Sequence, residues 1–116
     1  MVNKGQLWVF NTDADFSNPA DGVKRKVLAF DNDAMCVEHY FEKGAVGSLH
    51  SHPHLQITYV ADGVFEFEID GEKKIVKKGD TMLKRDNVEH GCICLEKGLL
   101  VDFFTPMRED FTHQTT

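Results

Sequence analysis

Residues 64–69 read VFEFEI, in which Phe65, Phe67 and Ile69 alternate with Glu66 and Glu68. A period of two is that of a β-strand with one face in the core. Together with other short segments that are alternating, apolar or aromatic, this pattern predicts strands at 6–10, 23–30, 35–41, 49–61, 64–69, 72–77, 80–85, 89–95 and 98–105. Turn-forming residues separate them at 31–33, 62–63, 70–71, 79–80 and 97–98. Many short strands at near-regular spacing predict an all-β antiparallel sandwich or barrel.

Helical periodicity is weak throughout the chain. Residues 106–111 (PMREDF) predict a single helical turn, with Pro106 at its first position. The polar tail (112–116) contains His113, to which we assign no role. The 116 residues, without a linker or an internal repeat, predict one domain.

The net charge, the apolar runs and the N-terminal segment indicate which partners and which compartment to expect. The formal net charge of −6 argues against nucleic acid, and the densest basic cluster is only Lys24, Arg25 and Lys26. No apolar run approaches the roughly 20 residues that span a bilayer, so no membrane partner is expected. The N-terminus lacks the pattern of a signal peptide, so we expect a cytoplasmic protein.

Three of the six histidines fall within HSHPHLQ, residues 50–56. On a strand, His50 and His52 point to the same side, so both can reach one metal ion. Gln56 has the same parity, and His54 is its rival as a ligand. His90 lies on a distant predicted strand. The alternative interpretation is a barrel whose histidines only form hydrogen bonds.

The other candidate residues are cysteines and an acidic strand residue. Cys36, Cys92 and Cys94 are odd in number and lack a CxxC pattern, so we interpret the last two as small core residues. Asp102 lies between Val101 and Phe103 in an apolar strand. A carboxylate there is exposed, paired with Arg108, or functional.

The spacing of the histidines resembles a known family. Residues 44–63 read Gly, five residues, His-x-His, three residues, Gln, six residues, Gly, like the first motif of the cupin superfamily, with Gln where Glu is usual. Residues 79–94 resemble the second motif, with Arg85, Asn87 and Cys94 in place of the usual Pro, Gly and Asn.

This resemblance implies one cupin domain over 1–116, a double-stranded β-helix or jelly-roll barrel. It also implies one divalent transition metal, with the four ligands His50, His52, Gln56 and His90. Since all four donors are neutral, the ion keeps its full charge and favours an anionic substrate. Mixed nitrogen and oxygen ligands leave Zn, Ni, Mn, Fe and Co open.

A narrower resemblance is carried by residues 43–74 together with VDFFTPMREDF, residues 101–111. These segments are similar to the pectin-degradation cupins, the unsaturated pyranuronate lyases, which open the ring of 4,5-unsaturated monouronates from pectin or alginate. The resemblance implies catalytic roles for Asp102 and Arg108, substrate contacts from Arg108 and Phe104, a small anionic sugar as substrate, and a homodimer.

Other functions remain open on the sequence alone. A different metal-dependent cupin enzyme, a dioxygenase or an isomerase, would share the same barrel, because fold does not fix function. A non-catalytic domain that binds sugar acids is the third hypothesis. His39 has inward parity with Met35 and Val37, which favours a core role or a role beside the metal ligands.

Overall fold

The computed structural model describes residues 1–112, so His113 and the rest of the tail lie outside the described residues. Within this range the chain forms a short 3-10 helix, eight strands and one terminal helix. Their bounds are Asn11–Asp13 (3-10), Phe16–Ala20 (β1), Val23–Asp31 (β2), Ala34–Phe41 (β3), Val46–His50 (β4), Leu55–Ile69 (β5), Glu72–Lys77 (β6), Thr81–Lys84 (β7), His90–Thr105 (β8) and Glu109–Thr112 (α1).

Two long strands, β5 and β8, pair along their whole length and belong to both halves of the barrel. The first half of β5 and the second half of β8 lie in a sheet of order β1-β2-β3-β8-β5-β7, and the other halves lie between β4 and β6. Every pairing is antiparallel, and Phe41 of the first sheet packs edge-on against Phe65 of the second, with ring centroids 5.3 Å apart. The predicted all-β barrel is confirmed.

The turns predicted at 62–63 and 97–98 are wrong. Both segments lie inside long strands, where the β5–β8 register shifts between Val60 and Phe65. Turn-forming residues also suit β-bulges, which bend a strand without ending it. Gly63 and Gly98 face each other at this bend: a Cβ on Gly98 would lie 2.4 Å from the Asp62 carbonyl oxygen.

The predicted first strand is also wrong. Residues 6–10 are not in a strand, and Leu7, Trp8 and Phe10 are exposed. The first strand is β1, which the sequence did not reveal because Phe16–Ala20 contains a proline and has no alternating pattern. Proline is accommodated in an edge strand such as β1, because that strand has a neighbour on one side and does not need every backbone N–H for hydrogen bonds to a second one.

The histidine-rich segment 49–61 forms two strands instead of one. Strand β4 ends at His50 and β5 begins at Leu55, so the segment around Pro53 is a connection. The predicted helical turn exists but starts later, at Glu109. Pro106 precedes it after a cis peptide bond and is not at its first position.

Inward-facing positions follow the predicted parity on β3 and β8. Met35, Val37, Leu100 and Phe104 are each at most 3% exposed. Cys92 and Cys94 belong to the same core as Phe65, as predicted, and burial raises the pKa of the Cys92 thiol to about 12. Within residues 1–112, no helix is both long and apolar enough to cross a bilayer.

We predict that Gly98→Ala destabilises the fold, because the added methyl would overlap backbone of β5 and the Phe65 ring. Overpacking of this kind costs about 3 kcal/mol in the free energy of unfolding. Gly71→Ala is the matched control: it has open space around it and a positive φ, so it pays only about 1 kcal/mol of backbone strain. Urea denaturation measures both. Equal losses would contradict close packing at the bend.

Candidate metal centre

Three histidines meet at one end of the barrel. His50 is the last residue of β4 and pairs with His90, the first residue of β8. His52 follows in the β4–β5 connection, so the chain turn and not strand alternation brings it beside them, contrary to the prediction. One ring nitrogen from each lies within 4.8 Å of the others, and the His50 and His90 ring centroids are 4.5 Å apart.

The backbone fixes which ring nitrogen faces the cluster. Nδ1 of His50 donates to the Ser48 carbonyl at 2.7 Å, and Nδ1 of His90 donates to the Val88 carbonyl at 3.0 Å. Since a carbonyl only accepts, each neutral ring keeps its lone pair on Nε2. Nε2 of His90 is buried without a hydrogen-bond partner. A buried lone pair without a donor suits a metal ion.

Gln56, the second residue of β5, presents its amide oxygen to the cluster. Its Nε2 donates to Oδ1 of Asp102 at 2.8 Å, so its Oε1 faces the other way and lies 2.9 Å from Nε2 of His52. Two atoms at that distance can form a hydrogen bond, and they can equally be two neighbouring ligands of one metal ion. Nδ1 of His52 has no partner. The donor set of three imidazoles and one amide oxygen therefore fits a divalent transition metal.

His54, the rival ligand, lies outside the cluster. Its Nε2 donates to the Met107 carbonyl at 3.1 Å and so ties the connection to the C-terminal segment.

Burial keeps two imidazoles in the form that binds metals. It lowers the pKa of His90 to about 3, with a further contribution from the charge of Lys84. Burial, and then the charge of Arg108, lowers the pKa of His52 below its usual value. Both rings are therefore neutral at pH 7, with a lone pair free to coordinate.

Asp102 of β8 is buried, 3% exposed, and is linked to the histidine cluster through Gln56. It is not paired with Arg108. Its Oδ1 accepts from Thr58 at 2.5 Å as well as from Gln56, and its Oδ2 accepts from Nδ1 of His39 at 2.7 Å. Burial by itself would raise its pKa, but the His39 hydrogen bond and the charge of Lys84 hold that pKa well below its usual range. Asp102 is therefore a carboxylate.

Asp102 lies at the centre of a polar row that crosses five neighbouring strands. From one side, Nε of Arg25 on β2 donates to Nε2 of His39 on β3 at 2.9 Å. From the other side, Nζ of Lys84 on β7 donates to Thr58 on β5 at 2.5 Å. A cation thus stands at each end of the row and the anion at its centre, which compensates the burial of charge.

Sequence reasoning missed the outer members of the row. Lys84 is 1% exposed, and burial lowers its pKa. Parity was the available signal, because residues two apart on a strand share one face. Lys84 shares the buried face of Met82, and Thr58 shares that of Gln56. The basic cluster faces inward in part, because Arg25 lines the cavity. Its neighbour Lys26 lies on the opposite face of β2, where it is 8% exposed and donates to the carbonyl and side chain of Asn11.

A cavity of about 400 Å³ opens beside the histidines and Asp102. Phe104 and Phe111 line it, as does Arg108, whose fork donates to both carboxylate oxygens of Asp110 at 2.8 and 2.9 Å. The Arg108 hydrogen bonds hold the pKa of Asp110 below its usual value. Arg108 lies over both aromatic rings, 4.2 Å from the centroid of Phe111.

The charges around the cavity favour an anion. Among its lining residues, three side chains are cationic and two are carboxylates, although the whole chain carries −6. These are Arg25, Lys84, Arg108, Asp102 and Asp110. A positively charged, partly enclosed site attracts anionic small molecules. A divalent ion on the neutral histidines would strengthen that preference.

Comparison with known proteins agrees with this geometry. Residues 37–103 match the cupin domain family. The chain is 48% identical over 93 residues to the pectin degradation protein KdgF of Dickeya dadantii (strain 3937), an alignment that covers 78% of this chain and 84% of that protein.

Two solved structures are similar over nearly the whole chain. An RmlC-like cupin from Shewanella frigidimarina NCIMB 400 has a TM-score of 0.90 and 35% identity, covering 95% of this chain and 99% of that one. KdgF from Halomonas sp. has a TM-score of 0.87 and 37% identity, covering 91% and 98%. The chain therefore belongs to the cupin family and, within it, to the group of pectin-degradation cupins that includes KdgF.

Proposed function

We propose that this protein catalyses the metal-dependent ring opening of 4,5-unsaturated monouronates to the linear keto acid. The observation that carries the proposal is the position of Asp102: a buried carboxylate on the wall of a cationic cavity, hydrogen-bonded to the candidate ligand Gln56. The family relation to a pectin degradation protein supports the substrate class. The substrate comes from pectin or alginate.

The candidate ligands of one divalent transition metal are His50, His52, Gln56 and His90. Zn, Ni, Mn, Fe and Co all suit imidazole and amide donors. When bound, such an ion supplies Lewis-acid stabilisation of negative charge next to the cavity.

The substrate is a cyclic enol ether that carries a carboxylate and a hemiacetal hydroxyl. Opening its ring removes a proton from the anomeric hydroxyl, breaks the bond from C1 to the ring oxygen, and leaves an aldehyde and an enolate. A proton then adds to C4 to give the keto acid. Because negative charge passes through the ring oxygen at C5, groups that stabilise that charge lower the barrier.

Asp102 moves the proton in this proposal. It is ionised, so it is in the state that accepts a proton. The hydroxyl becomes more acidic as the ring bond breaks, which lets a weak base take its proton and return it to C4. Thr58, Gln56 and His39 hold the carboxylate in one orientation throughout.

Arg108 holds the substrate carboxylate. In the structure its planar fork already grips a carboxylate, that of Asp110, with two hydrogen bonds. A substrate carboxylate takes the same geometry. Phe104, 1% exposed, forms an apolar wall on which a sugar face packs and from which water is excluded.

Three properties of the whole protein stay predictions from the sequence. They are a single cupin domain over 1–116, a homodimer, and a cytoplasmic location.

We predict that chelation of the metal reduces turnover of 4,5-unsaturated galacturonate to its spontaneous rate, followed as loss of the ultraviolet band of the conjugated double bond. His90→Ala removes a ligand and lowers both bound metal, measured by mass spectrometry, and turnover. His54→Ala is the matched control and keeps its metal, because His54 lies outside the cluster. Unchanged metal content in His90→Ala would refute the ligand assignment.

We predict that Asp102→Asn lowers kcat by about 100-fold or more, the scale of a lost proton-transfer group. Metal content stays unchanged, because the new amide oxygen still accepts from Gln56, and the mismatch falls on the other side, where the new NH₂ opposes the Nδ1–H donor of His39. Asp33→Asn, in an exposed hairpin, is the control. Loss of the metal in Asp102→Asn would show that Asp102 serves the metal site and not the proton.

We predict that Arg108→Lys raises KM by about 10-fold or more, since lysine keeps the charge but loses the two parallel hydrogen bonds. Arg85→Lys, at an exposed position, leaves KM unchanged. The measurement is initial rate against substrate concentration. A purely kcat effect would count against substrate binding by Arg108.

A further inference from the structure

Arg25 and His39 are paired residues on neighbouring strands of the first sheet. They are direct partners in the β2–β3 register, and both line the cavity. The resemblance to known cupins assigned neither a role. Their side chains connect to the proposed proton carrier: Arg25 donates to His39, and His39 donates to Asp102.

The donor inventory of these side chains fixes the state of His39. A guanidinium has only donors, so the ring nitrogen facing it, Nε2, must carry the lone pair. The proton of the neutral ring is then on Nδ1, which is the nitrogen 2.7 Å from Oδ2 of Asp102. The opposite tautomer would set two donors against each other at Arg25 and two lone pairs against each other at Asp102.

Arg25 is itself held in place and stays protonated. Its guanidinium carbon lies 3.6 Å from the centroid of Phe111, a stacking contact that a lysine could not reproduce. Burial, and then the charge of Arg108, lowers its pKa to about 10. At neutral pH the group is therefore always a donor to His39.

The tautomer of His39 determines whether Oδ2 of Asp102 has a hydrogen-bond donor. Oδ1 has two donors, Thr58 and Gln56, whereas His39 is the donor to Oδ2 among the described residues. We propose that Arg25 is a positioning residue for ring opening, which holds His39 in the Nδ1–H tautomer and thereby orients the carboxylate of Asp102. This inference rests on the proposed function, because it gives Asp102 the proton-transfer role.

The direct test is nitrogen-15 NMR of the histidine rings in the metal-loaded protein, since a ring nitrogen with a proton and one with a lone pair differ in chemical shift. The wild type is expected to show His39 protonated on Nδ1. Arg25→Met removes the donor that faces Nε2, so the Nε2 signal is expected to move towards that of a nitrogen with a proton. Lys24→Met, on the same strand and exposed, leaves the Nε2 signal unchanged. An unchanged Nε2 signal in Arg25→Met would overturn the proposal.

The kinetic test is a double-mutant cycle. Arg25→Met is expected to lower kcat about 10-fold with metal content unchanged. This is the lower end of the losses seen when a residue that orients a site residue through a hydrogen bond is removed. In the His39→Asn background the amide NH₂ stands near the position of Nδ1 and donates to Asp102 without Arg25. There Arg25→Met is expected to cost little further kcat.

These outcomes distinguish failure of the role given to Arg25 from failure of the proposed function. The same kcat loss in both backgrounds would overturn it and would mean that Arg25 acts on the substrate or on packing. No turnover above the spontaneous rate in the metal-loaded wild type would refute the proposed function and the catalytic part of this inference. The NMR result would then decide alone whether Arg25 sets the tautomer.

Discussion

The buried carboxylate of Asp102 is the group that the rest of the site must satisfy. An unpaired charge in this position would cost several kcal/mol of folding free energy. The polar row compensates it with hydrogen bonds from His39 and Thr58, which are in turn bonded to Arg25 and Lys84. Each of the five residues lies on a different strand of one sheet, so the hydrogen bonds link strands β2, β3, β8, β5 and β7 side to side. The residue proposed to move the proton is therefore also the charge that the fold must compensate.

The long β5–β8 pair explains how a small barrel brings the row and the histidines together. Asp102 pairs with Thr58 in the first sheet, while the start of the same strand β8 places His90 beside His50 in the second. Continuity through the bend at Gly63 and Gly98 is what allows one strand to serve both sheets. The gap between the sheets at this end is the cavity.

Much of the fold and part of the site could be predicted from the sequence, and the failures have physical causes. Alternation identified strands with one buried face, but residues 6–10 have strand-like composition without a neighbouring strand to bond. Asn87 occupies the usual glycine position with a φ of 61°, which asparagine tolerates. Parity could place Lys84 on a buried face, but the hydrogen-bond partners of Arg25 and Lys84 could not be read from the sequence, because they are distant in the chain. The roles given to Asp102 and Arg108 stay predictions.

The hydrogen bond between Gln56 and Asp102 ties two sequence positions to a single negative charge. Glutamate is usual at the first position in cupins, but here it would set two carboxylates at hydrogen-bonding distance, and one would have to take up a proton. With Asp102 present, an amide at position 56 avoids this second negative charge. With Glu at position 56, loss of the acid at 102 would remove the repulsion. In this barrel, positions 56 and 102 should therefore change together. An amide at 56 suits an acid at 102, and an acid at 56 suits a neutral residue at 102.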